Sequence, residues 1–264
     1  MLKDKLTLVI NSCQSFSDLW PAHMWFLDQY WPKRGMATLL VTDDFTDQHF
    51  DAVQTVCTGS GKEYPQRMKE ALPKITTEYV LLTLDDYFLV NSVNEEKLER
   101  LIGIMDRENI DYIRLFPEPI SHKKYKDYPN LYQIDLNTNY AVNLYQGIWR
   151  RSFIESTLGG IQNIWQYEVS LTETARKTNA RCVMSTGSEF ETLDVIRKGK
   201  ILHKAYRYLA KEGIYLPERR VISYFEEMRI AVFSIGKKVL PKKAAEGVKS
   251  VLRMCGVSFF SDSF

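Results

Sequence analysis

The sequence lacks a long hydrophobic run and a clustered cysteine motif. Only four of its 264 residues are cysteines, and no two form a Cys-x-x-Cys pair. Such spacing makes zinc and thioredoxin-like sites poor interpretations and favours a reducing compartment. No stretch reaches the roughly 20 apolar residues of a membrane span, and the apolar run from Leu6 to Ile10 is short for a secretion signal. We expect a cytoplasmic protein, soluble or peripheral on a membrane.

The chain also lacks a strong excess of either charge. Its net charge of +2 gives no electrostatic reason to predict nucleic-acid binding. The glycine fingerprint G-x-G-x-x-G and the phosphate-loop motif G-x-x-x-x-G-K-[ST] are both absent. The loop at Gly59-Ser60-Gly61 therefore indicates neither a dinucleotide-binding fold nor a P-loop.

What is present is an alternation of apolar strands and amphipathic helices over the first 116 residues. This alternation predicts an α/β domain with a mostly parallel sheet flanked by helices. The predicted strands are 6–12, 36–45, 51–57, 78–86 and 111–116, and the predicted helices are about 17–30, 64–75 and 94–110.

Polar residues stand where the predicted strands end. The first predicted strand ends in Asn11 and Ser12, the second ends in a segment with Asp43, and the fourth ends in Asp85 and Asp86. Ligands of parallel α/β sheets bind outside the carboxyl ends of the strands. The sequence therefore predicts a ligand site at this edge.

The pattern changes after residue 117, where shorter elements and polar loops appear. Apolar residues then recur every three or four positions from 217, and six lysines or arginines stand between 236 and 255. We predict one domain over 1–205 and a helical, basic appendage over 206–264. The appendage suits an anionic membrane surface, and equally a helix packed on the domain or on a second subunit in a homodimer.

The stretch YVLLTLDDYFLV sets Asp85 and Asp86 between two apolar runs. Burying a carboxylate is costly unless something pairs with it. Two adjacent carboxylates can hold one hard divalent cation, with diphosphate oxygens and water completing its shell. The alternative is an ordinary turn, in which aspartate is common.

The order of these elements, with an acidic pair closing the strand after a glycine-containing loop and an Arg-bearing helix, resembles a glycosyltransferase of the GT-A fold. The resemblance covers about residues 5–205 and is nearest to bacterial enzymes of capsule, O-antigen or exopolysaccharide synthesis. That fold binds metal through D-x-D or a similar motif, whereas this chain has Leu84-Asp85-Asp86. The resemblance implies Mn²⁺ or Mg²⁺ as cofactor and a nucleotide-sugar, UDP-linked, as donor.

The resemblance also implies roles for individual residues on the donor side. Asp86, Asp85 and His203 are the candidate metal ligands. The candidate contacts of the nucleotide and its diphosphate are Asn11, Asp43, Arg67, Asp85, Arg197 and Lys198. For Asp44, which follows Asp43, capping of the next element competes equally with a nucleotide contact. For Arg67 and His203, the competing interpretation is a structural role.

The segment GGIQNIWQYE resembles the acceptor-side segment of these bacterial enzymes, in which an acid follows an aromatic residue after a polar loop. Glu168 is the candidate general base, which takes the proton of the acceptor hydroxyl. Trp149, Arg150 and Trp165 are the candidate acceptor contacts. The competing interpretation makes Glu168 an acid in the first turn of a helix and both tryptophans core residues.

The resemblance, together with these residues, implies an inverting, metal-dependent transfer of a sugar to a bacterial surface glycan or a lipid-linked oligosaccharide, at or near the cytoplasmic face of the inner membrane. One rival is a sugar-phosphate nucleotidyltransferase, which uses a similar sheet and acidic metal site. The other is a carbohydrate-binding protein that retains the fold without catalysis, because fold alone does not determine function.

Overall fold

The computed structural model describes residues 2–160 and 162–228. The chain divides into two compact units, with the boundary after Val195. The first unit is the α/β domain, and the second begins at Ile196. The division predicted from the sequence, into 1–205 and 206–264, stays a prediction.

The first unit contains ten strands and six α-helices in its described residues. The strands are β1 (Leu6–Asn11), β2 (Thr38–Thr42), β3 (Gln54–Cys57), β4 (Tyr79–Leu84), β5 (Tyr87–Leu89), β6 (Tyr112–Arg114), β7 (Leu131–Gln133), β8 (Gly147–Arg150), β9 (Cys182–Ser185) and β10 (Thr192–Asp194). The helices are α1 (Leu2–Lys5), α2 (Trp20–Tyr30), α3 (Tyr64–Ala71), α4 (Glu95–Glu108), α5 (Arg151–Thr157) and α6 (Ile164–Lys177).

Eight strands form one mixed sheet in the order β3-β2-β1-β4-β8-β6-β9-β7. The strands from β3 to β4 pair in parallel, and β6 pairs in parallel with β9. The predicted α/β class and the parallel arrangement of the first strands are confirmed. β8 was not foreseen at its position: it lies antiparallel between β4 and β6.

Helices cover both faces of this sheet. Leu8 and Ile10 of β1 pack with α2 and α4 on one face, whereas Val9 packs with α3 and α6 on the other. Every residue of β1 is buried, which explains its unbroken apolar run. Because side chains alternate along a strand, Asn11 lies on the same face as Val9.

Local capping determines where the helices begin and end. Asn94 accepts a hydrogen bond from the Lys97 amide at the start of α4, and Asn109 ends that helix in the left-handed conformation. Asn163 and Gln166 form a capping box at the start of α6. α6 therefore begins at Ile164, and Glu168 lies in its second turn, not in the first turn as predicted.

Asp85 and Asp86 form a tight connection between two sheets. β4 ends at Leu84, and β5 begins directly after the two aspartates and pairs with β10 in a separate two-stranded sheet. The Val195 amide also donates to the Asp86 carbonyl at 2.9 Å. The apolar run after the aspartates is thus a new strand, which was not predicted from the sequence.

The second unit begins with a hairpin of β11 (Ile196–Arg197) and β12 (Lys200–Ile201), followed by α7 (His203–Lys211). Lys198 and Gly199 both adopt positive φ, as a two-residue hairpin turn of type I′ requires. The predicted helical tail lies mostly outside the described residues, and its basic part does so entirely. In the part of the chain that is described, none of the helices has the length and apolar character needed to cross a membrane.

Candidate functional site

The parallel strands β1, β2 and β4 bring their carboxyl ends to one edge of the sheet. Asn11 at the end of β1 lies beside Val41 of β2 and Leu84 of β4. Asp43 comes directly after β2, and Asp85 comes directly after β4. The polar residues that the sequence predicted to meet here therefore do converge. We call this region the carboxyl edge.

A chain of two hydrogen bonds holds the Asp85 side chain; it runs through Ser12, directly after β1, to Trp20 at the start of α2. Its carboxylate accepts a hydrogen bond from the Ser12 hydroxyl, which in turn accepts one from the Trp20 indole N–H at 2.6 Å. Asp85 is only 6 % exposed and Trp20 is fully buried. This chain of hydrogen bonds aligns one carboxylate oxygen and was not predicted from the sequence.

His23 contacts the main chain of the same turn at Asp85. Its Nδ1 lies 3.1 Å from the Asp85 carbonyl oxygen, and its ring packs edge-on against Phe88. Burial lowers the pKa of His23 to about 4, so the ring is neutral at pH 7. A neutral imidazole with a proton on Nδ1 can donate to that carbonyl and hold the turn in place.

Ser12→Ala is expected to destabilise the protein by about 1–3 kcal/mol, because it leaves a buried indole N–H and a buried carboxylate oxygen without this partner. In a protein of this size we expect the Tm to fall by roughly 2–4 °C for each kcal/mol. Thermal unfolding of the variant and the wild type measures the change.

Ser15→Ala is the matched control, since Ser15 is exposed three residues further along the same segment. It is expected to lie within about 0.5 kcal/mol of wild type. Equal stability of the two variants would mean that the Ser12 hydroxyl does not support Asp85.

Asn11 has no hydrogen-bond partner for either polar atom of its side-chain amide among the described residues. The side chain is 2 % exposed and stands at the end of the central strand. Buried amides are almost always hydrogen-bonded, so each exception requires an explanation. A bound group with both a donor and an acceptor would satisfy Asn11 at this edge.

Arg67 and Tyr64 extend the carboxyl edge along α3. The Tyr64 hydroxyl and the Arg67 Nε are buried without a hydrogen-bond partner in the described chain, while Arg67 Nη1 donates to the Lys62 carbonyl at 2.8 Å. Burial raises the pKa of the Cys13 thiol, which also senses the charges of Asp85, Arg67 and Asp43. The charges of Arg67, Asp43 and Asp85 thus all act on one thiol, and the role of Arg67 as a phosphate contact stays a prediction.

Glu168 lies on the same face of the sheet as Tyr64. Its Oε1 accepts a hydrogen bond from the Leu144 amide at 3.2 Å. Its charge also contributes, after the larger effect of burial, to the raised pKa of Tyr64 in α3. Burial raises the pKa of Glu168, although the Leu144 amide opposes that shift. A carboxylate with a raised pKa is a stronger base than an exposed glutamate, as general-base catalysis requires.

Two half-exposed aromatic rings flank Glu168. Trp165 is 49 % exposed and stands three residues before Glu168 on α6, so both lie on one side of the helix. Tyr140 is 50 % exposed, and the charge of Glu168 contributes to its raised pKa after the larger effect of burial. Sequence reasoning identified Trp165 but missed Tyr140, which lies in an irregular loop with no pattern to mark it.

Asp43 and Asp44 differ in what they do. Asp43 Oδ1 accepts from the Gln14 amide at 2.7 Å and so ties the loop after β1 to the end of β2. Asp44 is exposed and accepts from the Phe45 amide at 2.8 Å. No helix or strand begins at Asp44, so the structure does not give it the capping role, and Asp43 is the residue that belongs to the carboxyl edge.

The structure contradicts two of the predicted acceptor contacts. Trp149 is 1 % exposed and packs against Tyr112 and Phe153 in the core. Arg150 pairs with Tyr79 at the start of β4, about 20 Å of strand from Asp85, and forms an ion pair with Glu78. The reason is the direction of β8: because it runs antiparallel to β4, its last residues lie at the opposite edge.

The side chains at the carboxyl edge supply only part of the ligand set that a divalent cation needs. Among the described residues no group of three or more histidine, cysteine, aspartate or glutamate side chains could hold a metal. Mg²⁺ and Mn²⁺ sites in phosphate-binding proteins often use one or two carboxylates together with substrate oxygens. Asp85 and Asp86 therefore fit a cation whose remaining ligands come from a diphosphate.

Three predicted residues lie in the second unit. Arg197 and Lys198 stand in the β11–β12 hairpin. The His203 Nδ1 lies 2.5 Å from a Glu227 carboxylate oxygen, and its ring stacks on Tyr224. His203 thus has partners in its own unit, and its role as a metal ligand stays a prediction, like the diphosphate contacts of the hairpin.

Comparisons with known proteins found matches among solved structures, at low sequence identity. No protein-family model matches the sequence, and no curated protein matches it significantly. Among solved structures, Staphylococcus aureus TarS 1–349 in complex with UDP-GlcNAc is 17 % identical, with a TM-score of 0.49, over 75 % of this chain and 60 % of that one.

Two further matches are of a similar level. The bifunctional IspDF from Campylobacter jejuni is 14 % identical with a TM-score of 0.43, over 72 % of this chain and 52 % of that one. UDP-glucose pyrophosphorylase complexed with UDP-glucose is 11 % identical with a TM-score of 0.44, over 72 % and 91 %. Because these TM-scores are below 0.5, we assign the residues of the site from the geometry of this chain.

Proposed function

We propose that the protein transfers a sugar from a nucleotide-sugar donor, UDP-linked, to a hydroxyl of a glycan acceptor, with inversion at the anomeric carbon. The observation that carries the proposal is the buried, unsatisfied amide of Asn11 beside Asp43 and Asp85. A nucleoside has the donors and acceptors that this amide lacks. A diphosphate offers the oxygens that a cation on the two aspartates needs.

On the donor side, Asn11 and Asp43 bind the nucleoside, and Arg67 binds a phosphate oxygen. Asp85 and Asp86 would hold Mn²⁺ or Mg²⁺, which when bound offsets negative charge on the departing diphosphate. Ser12 and Trp20 hold the Asp85 carboxylate in one orientation, so little reorganisation is needed when the donor binds. Arg197 and Lys198 are proposed as further diphosphate contacts on the sequence alone.

On the acceptor side, Glu168 accepts the proton of the attacking hydroxyl. The acceptor oxygen forms a bond to the anomeric carbon, the bond from that carbon to the diphosphate oxygen breaks, and its electron pair leaves with UDP. Attack from the face opposite the leaving group inverts the configuration. Trp165 and Tyr140 provide ring faces on which a sugar can stack beside Glu168.

The nature of Glu168 favours this reaction over nucleotidyl transfer. A sugar phosphate is already anionic at neutral pH and attacks a nucleotide without losing a proton. A hydroxyl acceptor, in contrast, must be deprotonated as it attacks. A half-buried carboxylate with a raised pKa suits the second case. The non-catalytic alternative predicts nucleotide or sugar binding without turnover.

The first experiment is a thermal-shift titration with UDP, with and without Mn²⁺. Saturation at about 100 times the Kd stabilises a protein by about 2.7 kcal/mol. For a domain of this size we therefore expect the Tm to rise by roughly 5–10 °C with UDP and Mn²⁺, and by less with EDTA. Release of UDP from a panel of UDP-sugars in the presence of hydroxyl acceptors then tests turnover.

GDP, CDP, ADP and dTDP are the parallel arms, since the base is the least constrained part of the donor. A shift with another nucleotide would correct the base and leave the reaction class standing. The proposal fails if no nucleotide diphosphate raises the Tm under either condition. Consumption of a nucleoside triphosphate and a sugar phosphate, without transfer from UDP-sugars, would establish the nucleotidyltransferase instead.

We also propose that the enzyme acts on a bacterial surface glycan or its lipid-linked precursor at the cytoplasmic side of a membrane. The basic residues between 236 and 255 support this by their charge. In the second unit, several large apolar side chains are exposed, as on membrane-surface proteins: Tyr206, Tyr215, Tyr224, Phe225 and Met228. Packing of this region in a homodimer is the competing arrangement.

A further inference from the structure

A cavity with a volume of about 770 Å³ lies away from the carboxyl edge, where β7 and β9 pair. Its walls are the loop 119–123, the segment 133–138 and the residues 179–182 before and at the start of β9. In the order of the sheet, β9 is three strands from β4, a distance of about 14 Å. The volume is within the usual range of small-molecule sites.

The cavity is lined by three cationic side chains and one carboxylate. The cations are Arg114, Lys123 and Arg181, and the carboxylate is Asp135. Asp135 Oδ1 already accepts from both the amide and the side-chain nitrogen of Asn137, at 2.9 and 3.0 Å. The balance of charge therefore favours an anion in the cavity.

Arg114 is the strongest indication. It is 1 % exposed, and its guanidinium donates to the carbonyls of Phe116 at 2.9 Å, Ala141 at 2.7 Å and Pro119 and to Met184 Sδ at 3.3 Å. These four acceptors orient the group but carry no formal charge. A buried cation is costly unless an anion accompanies it, so an arginine held in this way points to a negatively charged ligand beside it.

The rest of the lining suits a carbohydrate. Hydroxyl and amide side chains of Ser121, Gln133, Asn137 and Thr138 can exchange hydrogen bonds with sugar hydroxyls. Tyr125 adds an aromatic ring to the wall. Apolar residues such as Ile134 and Leu136 complete it, as in most ligand pockets.

We propose that this cavity is a second binding site, which takes a sugar unit bearing a carboxylate or a phosphate. The anionic group lies beside Arg114, Lys123 and Arg181, and the sugar hydroxyls bond to the polar wall. The site is separate from the donor nucleotide, and its existence does not depend on the transfer reaction proposed above.

The test uses the full chain, labelled with ¹⁵N, in titrations with glucuronic acid, glucose 6-phosphate and glucose. We expect the two anionic sugars to shift amide resonances of 119–123 and 133–138, and glucose to leave them in place. The tighter of the two anions identifies the source of the charge as carboxylate or phosphate. Since the attraction is electrostatic, raised salt is expected to weaken it.

Lys123→Glu provides the variant, and Lys124→Glu provides a control with the same change of charge. Both lysines are exposed neighbours, but only Lys123 lines the cavity. We expect Lys123→Glu to raise the Kd for the anionic sugars at least fivefold and Lys124→Glu to change it less than twofold. Neither position is a buried contact, so both variants are expected to fold.

Three results would each overturn the site: equal binding of glucose, equal effects of the two lysine variants, or shifts confined to residues 11–13. The titration is repeated with saturating UDP and Mn²⁺, which occupy the carboxyl edge. Unchanged binding of the anionic sugars under this condition supports a separate site, whereas competition with UDP would reject it. The outcome is thus independent of whether the transfer reaction is found.

Discussion

Glu168→Gln is expected to lower the kcat of sugar transfer by about 10²–10⁴-fold, because the amide cannot accept the proton of the acceptor hydroxyl. Glutamine keeps the size of the side chain and can still accept the hydrogen bond from the Leu144 amide. The KM for the donor is therefore expected to change little. Steady-state assays of UDP release with saturating acceptor measure both constants.

The same variant is expected to be slightly more stable than the wild type at pH 7, by a Tm increase of the order of 2 °C. Burial raises the pKa of Glu168 above its value in the unfolded chain. Between these two pKa values the folded state binds more protons, so stability falls as pH rises through that interval. Above the pKa of Glu168 in the folded state, the wild type bears the full free-energy cost of burying an ionised carboxylate. Below the unfolded-state pKa of about 4.3, the carboxyl group is protonated in both states, and the difference in stability between wild type and variant disappears.

The pH profile gives a second measurement of the same group. Wild-type kcat is expected to rise with pH as Glu168 ionises, with its midpoint above the usual glutamate range. The glutamine variant should lack this limb. Glu173→Gln, on an exposed part of the same helix, is the control and should match wild type in rate and profile. A Glu168→Gln variant with more than a tenth of wild-type kcat would remove Glu168 as the base.

Asp86→Ala is expected to abolish the Mn²⁺-dependent part of UDP binding and to lower turnover by at least about 10²-fold. The change removes one of two carboxylates that would hold the cation, whose stabilisation of a leaving diphosphate is worth several kcal/mol. The main-chain hydrogen bond from Val195 to the Asp86 carbonyl remains. We therefore expect the fold to be retained, as circular dichroism and thermal unfolding would show.

Asp47→Ala serves as the control, since Asp47 is an exposed acid in the loop after β2. It should leave the effect of UDP and Mn²⁺ on the Tm unchanged. If Asp86→Ala keeps both the Mn²⁺-dependent shift and turnover within tenfold of wild type, the two aspartates form only a turn between β4 and β5.

Much of the carboxyl edge was predictable from the residues alone. β1, β2 and β4 appear in the sequence as apolar runs because both of their faces are buried. Since parallel strands end at one edge, the polar residues after them had to meet there. Asn11, Asp43 and Asp85 follow from that reasoning without knowledge of any contact.

The acceptor side was harder to predict. The residue pattern of a short strand such as β8 does not indicate its direction in the sheet. Its antiparallel placement, which removes Trp149 and Arg150 from the site, could therefore not be predicted from the sequence. Tyr140 lies in a loop without periodicity. The bond between Ser12 and Asp85 joins residues that are 73 positions apart, and no local pattern reports such a pair.

The sequence by itself determined the α/β class, the parallel half of the sheet and the position of the acidic pair, because hydrophobic periodicity and strand ends are local properties. Only the tertiary structure decided which polar groups are buried without partners, which direction β8 takes and where Arg114 lies relative to a cavity. These depend on how distant segments pack, since burial and pairing are properties of neighbours in space. The sequence placed Asn11 at the carboxyl edge, but only the structure shows that its buried amide has no hydrogen-bond partner among the described residues. Arg114 is an ordinary residue in the sequence and becomes informative only when its surroundings are known.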